Sequence, residues 1–294
     1  MTGPTGVGKS SLAVALAGRL DGEILGADAF QIYAGLPVLT AQATPEQRAA
    51  VPHHLVGFLD LRENFDAARY AKAAREAIAA IQSRGKLPIL VGGTGLYLKA
   101  LTHGLAEMPP LDPELRARIS SMTLESAIEE LGKIDPACLE TIDLKNPVRV
   151  RRALEIVLQT GRPLADSRES WKNPSNEFRG LILVREREDL RARIEANVAQ
   201  MLAGGAIDEV RQAAHAGDGA RRAIGFCDIE DFLAGKTPLD ACHQAIVTAT
   251  RRYAKRQLTW CRTQFNFPTL DLTTIPQPES ALSRALEILA AQAP

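Results

Sequence analysis

No stretch of this 294-residue chain is long and apolar enough to cross a bilayer, which argues against a helical membrane protein. Cysteine is scarce. Cys138, Cys227, Cys242 and Cys261 show no C-x-x-C spacing, so neither a disulfide scaffold nor a thiolate metal site is indicated. Reduced thiols of a cytoplasmic protein are expected instead. The five histidines lack metal-ligand spacing, and the adjacent His53 and His54 read as packing or hydrogen-bonding residues. Acid is missing where base is dense. From Ala241 to Leu270 there is no Asp or Glu, yet Arg251, Arg252, Lys255, Arg256 and Arg262 fall there, in a chain of zero formal net charge. A solvated helix face usually interleaves both signs, so this segregation points to a polyanion-binding surface. The chain has no internal repeat and no low-complexity tract.

What the chain does carry begins at once. Gly3-Pro4-Thr5-Gly6-Val7-Gly8-Lys9-Ser10 fits G-x-x-x-x-G-K-[ST] in full and leads into the helical periodicity of Leu12, Val14, Leu16 and Leu20. Glycines let such a loop curl until successive N–H groups face phosphate oxygens, and the helix behind it adds the positive end of its dipole. Lys9 is then a mobile point charge, and Ser10 offers a hydroxyl to Mg²⁺. A site for a di- or triphosphate is predicted, the alternative being a glycine-rich turn before an ordinary helix. Only Met1 and Thr2 precede Gly3, whereas such loops normally leave a buried parallel strand; a chain short at its N-terminus is therefore expected. With the loop in that place, no signal peptide is expected there.

Glu23-Ile24-Leu25-Gly26-Ala27 reads as a strand that delivers Asp28 to its carboxyl end, the side on which open α/β sheets bind ligands. A turn aspartate is the competing reading. Residues 30–52 form a long polar loop with a short helix near Pro45, and residues 66–84 an Ala-rich helix capped by Asp66 and stopped at Gly85. The strand Leu87-Pro88-Ile89-Leu90-Val91 ends in Gly92-Gly93-Thr94-Gly95. A typical ATPase ends such a strand with a Mg²⁺-binding Asp, so simple ATP hydrolysis is disfavoured. Residues 109–146 show short helical patterns and no strand. The helix from Pro147 opens with Arg149, Arg151 and Arg152 and ends at Gly161, as either a phosphate- or base-contacting element or a surface helix start. After the strand Leu181-Ile182-Leu183-Val184 everything reads as helical. In a long helix over about 239–263, Arg252, Lys255, Arg256, Thr259 and Arg262 share one face, with Tyr253 and Trp260 read as core residues. The predicted fold is α/β: a P-loop NTPase-like parallel sheet core with a small all-helical insertion domain and a helical C-terminal part. Residues 1–108 form the first part of the core, 109–146 the insertion, and 147–294 the return to the core and the C-terminal helices.

The chain resembles the tRNA dimethylallyltransferases, also called tRNA isopentenyltransferases. The matching pieces are the loop at 3–10, Asp28-Ala29-Phe30-Gln31-Ile32-Tyr33, Pro52-His53-His54, Val91-Gly92-Gly93-Thr94-Gly95-Leu96-Tyr97, Arg151-Arg152-Ala153-Leu154-Glu155, Ala223-Ile224-Gly225 and Tyr253-Ala254-Lys255-Arg256-Gln257-Leu258-Thr259-Trp260. They stand in the family's order over nearly the whole chain. The resemblance implies transfer of a dimethylallyl group from dimethylallyl diphosphate, with Mg²⁺, to N6 of the adenosine 3′ of the anticodon. It also implies a cytoplasmic monomer that grips the tRNA anticodon stem-loop through the insertion. Gly3, Pro4, Thr5, Gly6, Val7, Gly8, Lys9 and Ser10 would hold the diphosphate, Ser10 the metal. Asp28 would be the base, in a catalytic set with Lys9 and Thr94. Asp28, Ala29, Phe30, Gln31, Thr94, Arg116, Val148, Arg149, Val150, Arg151, Arg152, Arg222, Ala223, Ile224, Gly225, Phe226 and Cys227 fall at tRNA-contacting positions, and Arg252, Lys255 and Arg256 add the basic helix face.

Three positions depart from the family pattern. Ala29 stands where the family usually has Ser, Gln42 where its Thr-Ala-(Lys or Arg)-Pro motif has a cation, and Asn197 where an Arg is generally found. Each lost charge-assisted contact is worth about 1.5–3 kcal/mol, with Arg187, Arg191 and Arg193 as candidate substitutes. Two other readings stay open: a P-loop kinase of a small molecule, and a tRNA-binding relative with impaired catalysis.

Overall fold

The computed structural model describes residues 1–104, 112–167 and 178–292. The chain divides into two compact units, one made of Met1–Leu101 with Asn176–Pro294, the other of Thr102–Ser175.

The first unit is built on parallel strands. β1 (Gly22–Gly26) pairs on one side with β2 (His53–His54) and on the other with β3 (Leu87–Val91), Ile24 standing opposite Ile89. β4 (Ile182–Val184) pairs in parallel with β5 (Thr269–Asp271). Thr2 joins the two sets, bridging in parallel to Gly92 and to Ile182. Its N–H donates to the Leu181 carbonyl at 2.9 Å, and its own carbonyl accepts from Leu183 N–H at 2.8 Å. Residues 1 and 2 thus take the central place, in the order β2-β1-β3-Thr2-β4-β5, and the phosphate loop leaves directly from it. Every residue of β1 is buried, as a strand covered on both faces requires. β5 overturns the expectation of an all-helical C-terminal part. Thr269-Leu270-Asp271 offers one buried apolar residue, Leu270, too short a pattern to separate from a loop.

Helices cover this sheet. α1 (Lys9–Leu20) packs Leu12 and Leu16 against Leu181, Leu183 and Leu270. α2 is Pro45–Ala50. α3 (Ala67–Ser83) is capped by Asp66, whose side chain accepts from the N–H groups of Ala68 and Arg69. α4 (Gly95–Thr102) follows β3, and its last residue begins the second unit.

In that second unit α5 (Pro113–Ser121), α6 (Leu124–Ile134), α7 (Pro136–Thr141), α8 (Pro147–Thr160) and α9 (Leu164–Ser167) bury Ile119, Leu131, Cys138, Val150, Leu154 and Val157 together. The helical unit is therefore larger than the expected 109–146, of which 109–111 lie outside the described residues. α8, expected to return to the core, places Val150, Leu154 and Val157 against the preceding helices, because its apolar stripe faces theirs.

The chain of the first unit then continues through α10 (Arg187–Met201), α11 (Ile207–Gln212), α12 (Asp218–Arg221), α13 (Phe226–Leu233), α14 (Leu239–Gln264) and α15 (Pro278–Ala290). α14 buries Ile246, Val247, Ala254, Gln257 and Cys261 on its inner face.

Candidate functional site

The loop from Gly3 to Ser10 is held open by its surroundings. Gly3, Gly6 and Gly8 all take positive φ, and a Cβ on Gly3 would lie 2.5 Å from the Leu183 carbonyl oxygen, so only glycine fits there. Its carbonyls turn outward to cations. Arg193 Nε donates to Gly6 O at 2.9 Å, Arg185 Nε to Val7 O at 2.9 Å, and Lys9 Nζ to Gly3 O and Pro4 O, each at 2.9 Å. Thr5 N–H donates to Gln257 Oε1 at 2.8 Å. The amides of Gly6, Gly8, Lys9 and Ser10 make no hydrogen bond among the described residues. α1 begins at Lys9 with neither a side-chain cap nor an acid in its first turn. Free amides, a helix N-terminus and outward carbonyls make an anion cradle.

Burial lowers the Lys9 pKa to about 8, against which the Asp28 carboxylate pulls it up. An anion in the loop would favour the charged ammonium further. The Ser10 hydroxyl is exposed at the mouth of the cradle. No group of three or more His, Cys, Asp or Glu able to hold a metal occurs among the described residues. Ser10 could hold a cation only together with phosphate oxygens and water, a ligand set of the kind Mg²⁺ takes.

Asp28 lies two residues beyond the last residue of β1. Its Oδ1 accepts from Phe30 N–H at 2.9 Å and Gln31 N–H at 3.3 Å, so the turn role weighed from sequence is real. Its Oδ2 accepts no hydrogen bond among the described residues, leaving that oxygen available for a proton. Thr94, after β3, holds the chain on both sides of Asp28: its N–H donates to Ala27 O at 3.1 Å, and its Oγ1 accepts from Ala29 N–H at 2.9 Å. Tyr253 lies beside Thr94 and Gln257, and burial pushes its hydroxyl up to about 12. Tyr253 thus belongs to the site, although its aromatic character alone reads as core. Gln257 and Arg185 were missed from sequence. A lone buried amide on the apolar face of α14 was the signal for Gln257.

The basic positions divide sharply. Arg252, Lys255, Arg256, Thr259 and Arg262 are exposed along one side of α14, Arg256 lying 5.8 Å above the Tyr253 ring, while Arg251 pairs with Glu195 at 2.8 Å. In the stretch 222–227, Arg222 and Cys227 are exposed. Ala223, Gly225 and Phe226 are buried, the side chains of Ala223 and Phe226 within the core. Ile224 packs partly against that core. In the helical unit, Val148 and Arg149 are exposed at the start of α8, Val148 at 75%. Val150 is fully buried, and Arg151 donates to the Met122 carbonyl at 2.9 Å. Arg152 pairs with Glu155 at 3.0 Å, and Arg116 stands 4.0 Å from the same carboxylate. Of the expected contacts, Val150, Ala223, Gly225 and Phe226 are buried positions.

Residues 31–264 match the model of the family described as IPP transferase. The chain belongs to the IPP transferase family. It is 46% identical over 268 residues to tRNA dimethylallyltransferase 1 of Pelobacter propionicus, covering 88% of this chain and 87% of that one. Among solved structures it is similar to the full-length tRNA isopentenylpyrophosphate transferase of Bacillus halodurans, with 35% identity and TM-score 0.72 over 99% of this chain and 96% of that one. It is also similar to a eukaryotic dimethylallyltransferase captured acting on tRNA, with 28% identity and TM-score 0.87 over 100% of this chain and 79% of that one.

Within the IPP transferase frame the departures acquire a structural setting. Gln42 donates to the Tyr33 carbonyl at 2.8 Å and accepts from Arg48 Nη2 at 2.8 Å, so a guanidinium stands beside the position that lacks a cation. A Cβ on Gly6 would lie 3.8 Å from Asn197 Nδ2, which puts Asn197 at the loop. Arg193, one turn earlier on α10, reaches the same loop through its Nε.

Proposed function

We propose that this IPP transferase cleaves dimethylallyl diphosphate and joins its allylic carbon to N6 of the adenosine 3′ of the anticodon in tRNA. The observation that carries the reading is the pairing of an anion cradle with a half-open carboxylate. The amides of Gly6, Gly8, Lys9 and Ser10 line the phosphate loop, and Asp28 keeps its Oδ2 free beyond the carboxyl end of β1, on the same edge of the sheet. With family membership the small-molecule kinase reading falls away, and the basic face of α14 gains a polyanionic partner.

Three things happen to bonds and charge. The allylic C–O bond breaks and its electron pair leaves with diphosphate. A C–N bond forms from N6 of adenine to the same carbon, and N6 gives up a proton. The loop amides, Lys9 Nζ and the η nitrogens of Arg193 stabilise the charge that grows on the leaving group, the largest electrostatic demand of the reaction. Adenine N6 is a weak nucleophile because its lone pair is delocalised, so a carboxylate positioned to accept its proton speeds attack; Asp28 Oδ2 takes that role. Mg²⁺ on Ser10 supplies further charge neutralisation when bound. Thr94 orients Asp28 through the backbone on either side. The target base leaves its stack to reach this site, as bases read in single-stranded loops do. Exposed Arg252, Lys255 and Arg256 hold phosphates, and Arg116, Val148 and Arg149 mark the surface that the helical unit offers to the anticodon stem-loop. A cytoplasmic monomer fits this role.

The departures at Gln42 and Asn197 then weaken donor binding without abolishing it, since Arg48 and Arg193 stand at those places. The test is incubation with labelled dimethylallyl diphosphate and an anticodon stem-loop bearing consecutive adenosines. Label recovered on N6 of one adenosine supports the reading. RNA that binds tightly yet gains no label at any enzyme concentration makes the protein an RNA-binding relative without transfer activity.

A further inference from the structure

The mechanism above uses neither end of the side chain of Gln257, a buried polar residue of α14. It shares the buried side of α14 with Ala254 and Cys261, where an apolar residue would pack without polar cost. Both halves of its amide are used: Oε1 accepts from Thr5 N–H at 2.8 Å, and Nε2 donates to the Gly93 carbonyl at 3.1 Å. The approach to Gly93 is so close that a Cβ there would lie 2.1 Å from Nε2. The residue after Gly93 is Thr94, which grips Ala27 O through its N–H and Ala29 N–H through its Oγ1, on either side of Asp28. An unbroken series of hydrogen bonds and single peptides therefore runs from the phosphate loop through Gln257 to the carboxylate.

Two consequences follow for the site. Thr5 N–H is engaged by Gln257, which removes it from the donors offered to phosphate and leaves those beginning at Gly6. The separation between the leaving-group cradle and Asp28 is set across one side chain rather than by β1 and the central strand alone. A displacement of about 1 Å in such an arrangement costs on the order of 10²-fold in rate.

We infer that Gln257 is a positioning residue, touching neither donor nor RNA, that fixes Asp28 relative to the phosphate loop. The inference rests on the transfer reading for its effect on rate, but its structural half is measurable without activity. The experiment compares wild type with Gln257→Met, which keeps length and loses both hydrogen bonds, and Gln257→Glu, which keeps an acceptor for Thr5 and loses the donor to Gly93. Amide hydrogen exchange is followed at Thr5 and Ala29, alongside transfer kinetics. In Gln257→Met both amides should exchange at least tenfold faster. In Gln257→Glu only Ala29 should, although Gln257 makes no contact with it. Both variants should lose at least tenfold in kcat with the KM for RNA within twofold of wild type; a merely structural role would move both KM values and the melting temperature together. If Gln257→Met does not fold, Gln257→Glu decides alone. Unchanged exchange at Ala29, or unchanged kcat, overturns the inference. A wild type that transfers nothing sinks the transfer reading instead, and the exchange data still decide the positioning role.

Discussion

The two ends of β1 carry carboxylates in opposite circumstances. Glu23, near its start, is buried and fully matched: Arg84 donates to both its oxygens, at 3.1 and 2.7 Å, and His54 Nε2 lies 2.6 Å from Oε2. The Arg84 hydrogen bonds, helped by His54, hold the Glu23 carboxyl below the ordinary carboxylate range against the upward push of burial. Asp28, just beyond the other end, gives one oxygen to two backbone amides and keeps the second open, with Lys9 in electrostatic reach. A saturated carboxylate ties a strand to its neighbours. A half-open one beside an anion cradle is placed to take up a proton, the role proposed for Asp28. The same contrast separates the two faces of α14, Gln257 being fully matched inside while Arg252, Lys255 and Arg256 are exposed outside.

Substitutions at the two carboxylates should break this contrast most visibly. Asp28→Asn keeps the oxygen that accepts from Phe30 and Gln31 and removes the base, so it is a cleaner probe than alanine. It should lower kcat by about 10³-fold with the melting temperature unchanged, whereas Glu23→Gln should leave kcat within twofold. Equal losses of rate in the two variants would erase the distinction. Lys9→Met should lower kcat/KM for the donor by about 10²-fold. In the wild type the same parameter should hold below pH 8 and fall as pH rises through about 8, because Lys9 loses its proton there. A flat profile to pH 9 would remove Lys9 from donor binding. Neutralising Arg252, Lys255 and Arg256 together should reduce the slope of log affinity for RNA against log salt by about 2, at roughly 0.7 per single-strand contact. An unchanged slope would make that face merely solvated. The smallest effect belongs to stability. Arg84→Ala, leaving Glu23 with His54 alone, should lower the midpoint of denaturant unfolding at neutral pH. Because the folded-state pKa of Glu23 is depressed, its contribution is present above the ordinary carboxylate range and is lost as pH falls through the folded value, so the wild-type and variant curves should converge in acid.

Much of this was legible in the sequence because it rests on local pattern. The loop at 3–10, the strand that delivers Asp28, the Asp66 cap and the charge face of α14 each depend on spacing within one element. What was not legible depends on partners far apart in the chain. Thr5 meets Gln257 across 252 positions, and Arg193 meets Gly6 across 187. β5 is three residues long and gains its identity only by pairing with β4. Arginines at 151 and 152, read as either a phosphate- or base-contacting element or a surface helix start, show their partners Met122 and Glu155 only in the folded chain. The burial of Phe226 and Val150, taken as contacts by resemblance, follows tertiary packing rather than motif position and was not legible either.

The most direct test of the central claim, that Asp28 serves the nucleophile while the loop serves the leaving group, pairs two measurements on Asp28→Asn: single-turnover transfer to a prebound stem-loop, and affinity for inorganic diphosphate with Mg²⁺. The account predicts transfer lowered by about 10³-fold with diphosphate affinity within twofold of wild type. Diphosphate affinity falling in step with transfer would contradict it, by placing Asp28 on the side of the metal and the leaving group.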